Sequence, residues 1–491
     1  MDRMVRMVIR LVSFTLENVK NVEHGKVDFP ILSSGGSVTG IYGANGSGKT
    51  SVIDALVLLR QTMTGATLSA SCGELVTIGE DTMTLTAVFL TDTHPQRFLK
   101  YSVEYRKGDM GLEIGQESIF LLESPEQSGR PLVVNDNTKN TDLGLSPDYL
   151  WRSLAMNHGG RNTVIFARRD AMLERRSYLF SDGFLTLAAV AGTDGSDLSL
   201  KAANRVHEVA ALSEAVRRLR AYAEKDIAIL STKNTASVSY RLLPLGMPHE
   251  DDEPSARFLD LLGENIVTEA DMERLNRNVH MFNQVLPMMV SGLTISLKEI
   301  DARLMDDGNI GVRFEPVSVR DGVEVPLRNE SKGIVRIVSM LAYLIQAFNN
   351  PNACVAIDEL DTGIFEYLFD EMLGEFAKRA QGQLIFTAHN LRPMERMQPT
   401  SDTIVLSTLD PRNRFVPYRG MGKTNNPRRQ YFNALEFGGT TTPLYEGSMP
   451  QLIGAGFTLA GSEHTKIDQQ VEDGTRSLLN VPVDGLEGAL W

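Results

Sequence analysis

Cysteine is almost missing from this chain. Only Cys72 and Cys354 occur among 491 residues, and they lie far apart without the spacing typical of a metal site. Such a pattern does not indicate a disulfide framework or a zinc centre. The low cysteine content fits a reducing compartment best, and we expect a cytoplasmic protein.

Long apolar runs and an excess of positive charge are missing as well. No apolar stretch approaches about 18 residues, so we expect no membrane span. Residues 1–10 carry three arginines but no apolar block with a small-residue cleavage site, so we expect no signal peptide. The net charge of −13 argues against a broadly basic nucleic-acid surface. Internal repeats and low-complexity tracts are also missing.

A phosphate-binding loop stands out near the N-terminus. It fits the pattern G-x-x-x-x-G-K-[ST] at every fixed position and consists of Gly43, Ala44, Asn45, Gly46, Ser47, Gly48, Lys49 and Thr50. Its glycines let successive backbone N–H groups face phosphates, while Lys49 would reach the β- and γ-phosphates and Thr50 would hold Mg²⁺. A predicted strand at 38–42 enters the loop, and Ser51 opens a helical pattern over 51–59. This context favours a nucleotide site over an incidental glycine turn.

Two adjacent acids follow a second apolar run. Residues 353–357 predict a parallel strand buried on both faces, and Asp358 and Glu359 come directly after it. Because α/β sheets bind ligands at the carboxyl ends of their strands, we predict that Asp358 binds Mg²⁺. Glu359 would orient the attacking water as a general base. Simple solvation of the strand end is the alternative, which the phosphate-binding loop disfavours.

His389 follows the next predicted strand, at 383–387. A histidine at this place can hydrogen-bond the γ-phosphate of ATP and sense its loss. A lone histidine more often has a surface or packing role, but the order of the segments favours the phosphate role.

Ser331 opens a predicted helix over 331–348. Backbone N–H groups at that N-terminus and the Ser331 hydroxyl would suit an anion. A serine N-cap without any ligand is a frequent device. On the residues alone, the N-cap is the favoured interpretation.

The remaining pattern predicts strands and helices in alternation with one irregular stretch. A hairpin at 7–14 and 25–29 comes first, and residues 124–146 are rich in turn-forming residues and predict a loop. Further predicted strands lie at 83–90, 98–105, 111–120, 309–314 and 323–327, and further helices at 196–230, 268–287 and 365–379.

A basic run is the best candidate for contact with nucleic acid. It contains Arg412, Arg414, Arg419, Lys423, Arg428 and Arg429, with Phe415, Tyr418, Tyr431 and Phe432 among or beside them. Such a run can bind nucleic acid or an acidic partner. A solvated, turn-rich loop is the favoured interpretation, so nucleic acid is a possible partner but not the expected one.

Taken in chain order, these segments resemble the ABC-type ATPase head of the RecF, structural-maintenance-of-chromosomes (SMC) and OLD-like families. The match covers roughly residues 5–120 and 300–410. In such heads Ser331 and Gly333 would match the signature motif, which contacts the γ-phosphate held by the opposite subunit, although Lys332 stands where the family usually has glycine. Asp361 would match the D-loop at the dimer interface. The resemblance therefore implies two ATP molecules, with Mg²⁺, between two copies of the head.

The resemblance also implies a function. Similar stand-alone ATPase heads occur in bacterial anti-phage defence pairs, where the ATPase senses infection and controls a separate effector such as a nuclease or toxin. We expect an ATP-hydrolysing homo-oligomer, at least a dimer, of this kind. A RecF-like DNA-repair ATPase and a nucleotide-gated scaffold with little turnover are the alternatives.

The expected fold class is α/β, an ABC-type P-loop NTPase head whose mixed sheet carries a β-rich lobe and an inserted helical subdomain. We predict a first ATPase lobe over 1–190, a helical insertion over 191–300, a second ATPase lobe over 301–410 and a C-terminal extension over 411–491.

Overall fold

The computed structural model describes most of the chain. The described residues are 8–30, 35–93, 96–138, 144–147, 161–191, 200–231, 242–244, 258–305, 308–395, 402–418, 444 and 453–460. The chain divides into two compact units, Met1–Leu444 and Tyr445–Trp491. The second unit is described only at 453–460, which is helical.

The first unit contains nineteen strands and seven α-helices among its described residues. The strands are β1 (Arg10–Val19), β2 (Val22–Asp28), β3 (Ser37–Tyr42), β4 (Thr82–Thr93), β5 (Gln96–Gly108), β6 (Gly111–Leu122), β7 (Pro131–Asp136), β8 (Leu145–Ser146), β9 (Ile227–Leu230), β10 (Leu242–Pro244), β11 (Phe258–Asp260), β12 (Asn265–Val267), β13 (Thr294–Leu304), β14 (Ile310–Arg320), β15 (Val323–Pro326), β16 (Cys354–Ile357), β17 (Gln383–Thr387), β18 (Asp402–Ser407) and β19 (Phe415–Pro417). The helices are α1 (Lys49–Met63), α2 (Arg161–Leu173), α3 (Asp182–Ala191), α4 (Leu200–Lys225), α5 (Glu269–Met289), α6 (Lys332–Asn349) and α7 (Glu366–Arg379). Short 3₁₀ turns lie at Ala70–Leu75, Leu327–Asn329 and Arg392–Glu395.

The core sheet positions the predicted site. Its six strands lie in the order β19-β18-β3-β17-β16-β9. All neighbours are parallel except β18 and β19, which are antiparallel. Every residue of β3, β9, β16 and β17 is buried, because parallel strands of this kind are covered on both faces.

Alternate residues of these strands enter two separate hydrophobic cores. One core joins Ile41, Ile229, Ala356, Ile385 and Val405 to helices α1 and α4 and to the antiparallel sheet. The other joins Val38, Leu230, Val355, Phe386 and Leu406 to helices α5, α6 and α7. The period of two along a strand therefore sorts the sheet's side chains between two layers.

A seven-stranded antiparallel sheet forms the β-rich lobe. Its order is β2-β1-β4-β5-β6-β7-β8. The predicted opening hairpin is β1 and β2, and the predicted strands at 83–90, 98–105 and 111–120 are β4, β5 and β6. A smaller sheet of β12, β14 and β13, with β15 also paired to β14, and the two-stranded pair of β10 and β11 complete the strands.

Two predictions of local structure are wrong. The expected loop over 124–146 contains β7 and β8, because the apolar run Leu132–Val134 pairs with β6 in spite of its polar neighbours. The helix predicted over 196–230 ends at Lys225, and its last four residues form β9. Those four residues are all apolar and pair with β16 at the edge of the core sheet.

Segment 191–300 is structurally mixed. It holds α4 and α5, and it also contributes β9 to the core sheet and β10 to β13 outside it. The predicted domain boundaries at 190, 300 and 410 stay a prediction. Among the described residues, no helix combines the length and the apolar character needed to cross a membrane.

A buried carboxylate fastens the β-rich sheet to the segment after α2. Glu117 of β6 is completely buried. Its oxygens accept five hydrogen bonds, from Ser177 Oγ (2.5 Å), Tyr101 Oη (3.0 Å), Asn135 Nδ2 (3.0 Å) and the backbone N–H groups of Tyr178 (3.0 Å) and Leu179 (3.1 Å). Burial raises the pKa of Glu117, and the hydrogen bonds from Ser177, Leu179, Asn135 and Tyr101 oppose that shift. The carboxylate thus satisfies donors from three parts of the lobe at once: β5, β7 and the segment 177–179.

Replacing this carboxylate should destabilise the fold. We predict that Glu117→Ala lowers the free energy of unfolding by about 3 kcal/mol or more, because several buried donors lose their acceptor. Glu113→Ala is the matched control, since Glu113 is exposed on the same strand. Urea denaturation measures both, and equal stability of the two variants would contradict the role of Glu117.

Candidate nucleotide-binding site

The phosphate-binding loop lies where strand β3 ends and helix α1 begins. Gly46 and Gly48 have φ angles of +75° and +92°, a conformation that favours glycine. Helix α1 starts at Lys49, and no side chain among the described residues caps it at Gly48. The N–H groups and the partial positive charge of this N-terminus therefore suit an anion.

Lys49 is folded back onto its own loop. Its Nζ donates to the carbonyl oxygens of Gly43 (2.8 Å) and Ala44 (2.9 Å), and the residue is 7% exposed. Burial lowers the pKa of the Lys49 ammonium, while the carboxylates of Asp358, Glu359 and Asp361 oppose that shift. The Lys49 ammonium is therefore largely removed from water, and three nearby carboxylates favour its charged form.

The two distant halves of the predicted site meet at Asp358. Thr50 Oγ1 of α1 donates to Asp358 Oδ1 at 3.3 Å, across 308 positions of sequence. Asp358 is fully buried, and its Oδ1 also accepts from Thr387 Oγ1 at 2.6 Å. The Thr387 hydroxyl in turn accepts from the backbone N–H of Glu359 at 2.7 Å. Because β17 lies between β3 and β16, Thr387 at its carboxyl end connects the two acids to the loop side of the site.

This donor set suits Mg²⁺. Described residues contain no cluster of three or more His, Cys, Asp or Glu that could hold a metal by itself. One hydroxyl and one carboxylate, from Thr50 and Asp358, are what Mg²⁺ takes from a protein when phosphates and water supply its other ligands. The fit is therefore to a metal that arrives with a nucleotide rather than to a closed protein cage.

Glu359 is held through its backbone. Its φ angle is +48°, uncommon for a residue other than glycine. The buried guanidinium of Arg336, on helix α6, donates to the carbonyl oxygens of Asp358 (3.1 Å) and of Glu359. The side chain of Glu359 is half-buried, and its Oε2 accepts from Thr362 Oγ1 at 3.4 Å. The structure thus fixes the main chain of the acid and leaves its carboxylate at the surface of the site.

The predicted switch residue is linked to the turn after the acids. The backbone N–H groups of His389 and Asn390 donate to Asp361 Oδ2 at 2.9 and 2.7 Å. His389 itself is exposed. Asp361 therefore joins the end of β17 to the turn that follows β16 within one chain.

The signature-like segment abuts the same turn. Ser331 caps α6, accepting from the backbone N–H of Ile334 at 3.3 Å, and is exposed. A Cβ on Gly333 would overlap the carbonyl oxygen of Gly363, so this close approach requires glycine. The N-cap interpretation of Ser331 thus agrees with the structure. Its contact, and that of Gly333, with a second subunit stays a prediction.

Several residues of the site escaped the sequence analysis. Thr387 and Arg336 support the acids, Asn21 donates to the carbonyl of Gly46, and Ser407 Oγ lies 2.5 Å from Ser47 Oγ. A hydroxyl at the end of the strand before His389 is a signal that could have found Thr387. The other three have no local signal, because each comes from an element distant in sequence.

The basic run is described only as far as residue 418. Arg412 forms an ion pair with Glu23 (2.8 Å), Arg414 is buried, and Phe415 packs in the core. Arg419, Lys423, Arg428, Arg429, Tyr431 and Phe432 lie outside the described residues. Within the described part of the run, Arg414 and Phe415 are therefore buried in the fold, while Arg412 stays at the surface.

Comparison with known proteins adds a family match to this geometry. The family model of the AAA domain matches residues 13–85, which include β2, β3, the phosphate-binding loop and α1. No curated protein shows a detectable match to the chain.

Solved structures that resemble this chain include SMC head domains and the recombination mediator protein RecF. The SMC head domain from Thermotoga maritima is 14% identical with a TM-score of 0.35, covering 84% of this chain and 100% of that one. The Smc head domain with an extended coiled coil bound to the C-terminal domain of ScpA, derived from Pyrococcus furiosus, is 13% identical with a TM-score of 0.39, covering 87% and 99%. The ATP-bound recombination mediator RecF of the RecFOR pathway is 12% identical with a TM-score of 0.37, covering 84% and 100%.

The predicted fold class is confirmed. The parallel core sheet and the glycine-rich loop between β3 and α1 form an α/β fold with a phosphate-binding loop, and the AAA domain model matches the part of the chain that contains this loop. The chain's own sheet order and loop geometry carry this assignment.

Thr387 offers a test of the geometry that needs no nucleotide. We predict that Thr387→Val lowers the free energy of unfolding by about 1–3 kcal/mol, because the buried Asp358 carboxylate loses a donor and the Glu359 N–H loses its acceptor. Thr387→Ser keeps the hydroxyl and should be close to wild type. Chemical denaturation of both variants is the measurement, and indistinguishable midpoints would contradict the bridge.

Proposed function

We propose that this protein binds Mg²⁺ and ATP and hydrolyses ATP to ADP and phosphate. The single observation that carries the proposal is the meeting of Thr50 and Asp358 at 3.3 Å beside the loop that holds Lys49. A P-loop, a hydroxyl and a buried carboxylate at one sheet edge are the parts from which nucleotide hydrolases are built. Bound Mg²⁺ would neutralise charge on the phosphates, held by Thr50 and Asp358.

Each residue has a separate task in this proposal. The loop Gly43–Thr50 and Ser51 surround the phosphates, and Lys49 leaves its carbonyl partners to stabilise the charge of the transferred phosphoryl group. Glu359 orients the attacking water and accepts its proton, a role that its half-buried carboxylate and fixed main chain support. His389 contacts the γ-phosphate. When the phosphate leaves after hydrolysis, a shift of His389 would reach Asp361 through the hydrogen bond from the His389 backbone N–H.

We further propose that a second copy completes the site. Ser331 and the turn at 362–363 are both exposed. They lie close together, since Gly333 contacts Gly363. Ser331, Gly333 and Asp361 would then face the ATP held by the other subunit. Control of a separate effector, such as a nuclease or toxin in anti-phage defence, is the most specific part of the proposal. It follows from the family resemblance alone.

The proposed base can be separated from the proposed binding loop. Glu359→Gln keeps the size of the side chain but cannot accept the proton, so we predict that hydrolysis falls about 100-fold or more. ATP binding should persist, and the dimer should accumulate because the bound ATP is not hydrolysed. Phosphate release, titration calorimetry and light scattering coupled to gel filtration measure the three quantities.

Lys49→Ala is the companion variant. It removes the ammonium and should abolish measurable ATP binding and the ATP-dependent dimer together. Normal hydrolysis by Glu359→Gln would refute the base, and unchanged affinity of Lys49→Ala would refute the loop. Wild-type protein that binds ATP without releasing phosphate would instead support the nucleotide-gated scaffold.

A further inference from the structure

Arg414 is a buried cation that the proposed chemistry does not use. It lies one residue before β19 and is 6% exposed. Its guanidinium donates to the carbonyl oxygens of Thr408 (2.7 Å) and Asn21. The Nε atom is buried without a hydrogen-bond partner among the described residues. A buried guanidinium that is paired mainly with carbonyl oxygens costs free energy of folding, because no carboxylate balances its charge. Such a costly arrangement suggests a role in function.

Asn21 connects Arg414 to the phosphate-binding loop. Its side-chain amide donates to the carbonyl of Gly46 at the tip of the loop, and its Oδ1 accepts from Ser51 Oγ at 3.3 Å in the first turn of α1. A Cβ placed on Gly48 would lie 3.1 Å from Asn21 Oδ1 and 3.5 Å from Arg414 Cδ. Both side chains therefore lie directly against the loop.

Strand β2, which begins one residue after Asn21, is fixed to the β18–β19 hairpin through the backbone as well. The N–H of His24 donates to the carbonyl of Pro411 (2.8 Å), and the N–H of Arg414 donates to the carbonyl of His24 (3.2 Å). Gly25 lies so close to the ring of Phe415 that a Cβ there would be 2.5 Å from it. Asn21 thus sits on a turn whose position the hairpin sets.

We propose that Arg414 is a positioning residue for nucleotide binding. It holds the main chain of Asn21 so that the Asn21 amide fixes Gly46, and the loop keeps its phosphate-binding shape before ATP arrives. We call Arg414 and Asn21 the loop brace. The inference rests on the proposed ATP binding and adds a residue pair to it. Preorganisation of this kind increases affinity because less ordering remains to be done on binding.

A double-mutant cycle tests the loop brace in the full-length protein. We expect Asn21→Ala and Arg414→Ala each to weaken binding of a fluorescent ATP analogue by roughly 5- to 30-fold, the range expected for one lost hydrogen-bonding constraint. Because Arg414 acts through Asn21, the double variant should bind no more weakly than Asn21→Ala alone. The turnover number at saturating ATP should stay within about threefold of wild type, so that KM changes and kcat does not.

Arg412→Ala is the matched control. Arg412 belongs to the same hairpin but is exposed and paired with Glu23, so its removal should leave affinity unchanged. Arg414→Lys retains the charge, and thermal melting separates lost affinity from lost folding. If Arg414→Ala does not fold, Arg414→Lys with and without Asn21→Ala completes the cycle.

The outcomes separate this inference from the proposed function. Additive losses in the double variant, or wild-type affinity of Arg414→Ala, would overturn the loop brace while ATP binding stands. An absence of ATP binding by the wild-type protein would overturn both. Weaker binding of Arg414→Ala and Asn21→Ala with a non-additive double variant supports the brace.

Discussion

The site depends on the parallel alignment of three strands at one edge of the core sheet. Strands β3, β17 and β16 lie side by side, so their carboxyl ends deliver the phosphate-binding loop, Thr387 and Asp358 to one place. The hydrogen bonds from Thr387 and Thr50 to one oxygen of Asp358 are the chemical result of that alignment. A buried carboxylate needs such partners, since a polar group that is removed from water without hydrogen bonds costs free energy.

Hydrogen bonds to backbone atoms hold the segments of the candidate site together around this carboxylate. Arg336 binds carbonyl oxygens at Asp358 and Glu359, and Asp361 binds the N–H groups of His389 and Asn390. The contact of Gly333 with Gly363 brings the start of α6 to the same turn. The start of α6 and the end of β17 thus both contact the turn that follows β16.

Local sequence patterns predicted much of this architecture and missed its connections. The apolar runs that became β16 and β17 were readable because buried parallel strands are continuous in hydrophobicity. The run that became β9 was assigned to the preceding helix, because four apolar residues after a helical pattern have no period of their own. Strand β7 lies among polar residues in the sequence, and β6 and β8 supply its hydrogen-bonding partners.

The amino-acid sequence by itself determined the phosphate-binding loop, the acidic pair after an apolar strand and the α/β class. These features are local: glycines at fixed spacing permit one loop shape, and a short apolar run permits one kind of buried strand. Only the tertiary structure decided that Thr387 bridges the acids, that Arg336 fixes their main chain, and that Asn21 and Arg414 lie against the loop. Each of these contacts joins residues from separate elements, and no pattern along the chain records which elements the packing of two hydrophobic cores will bring together.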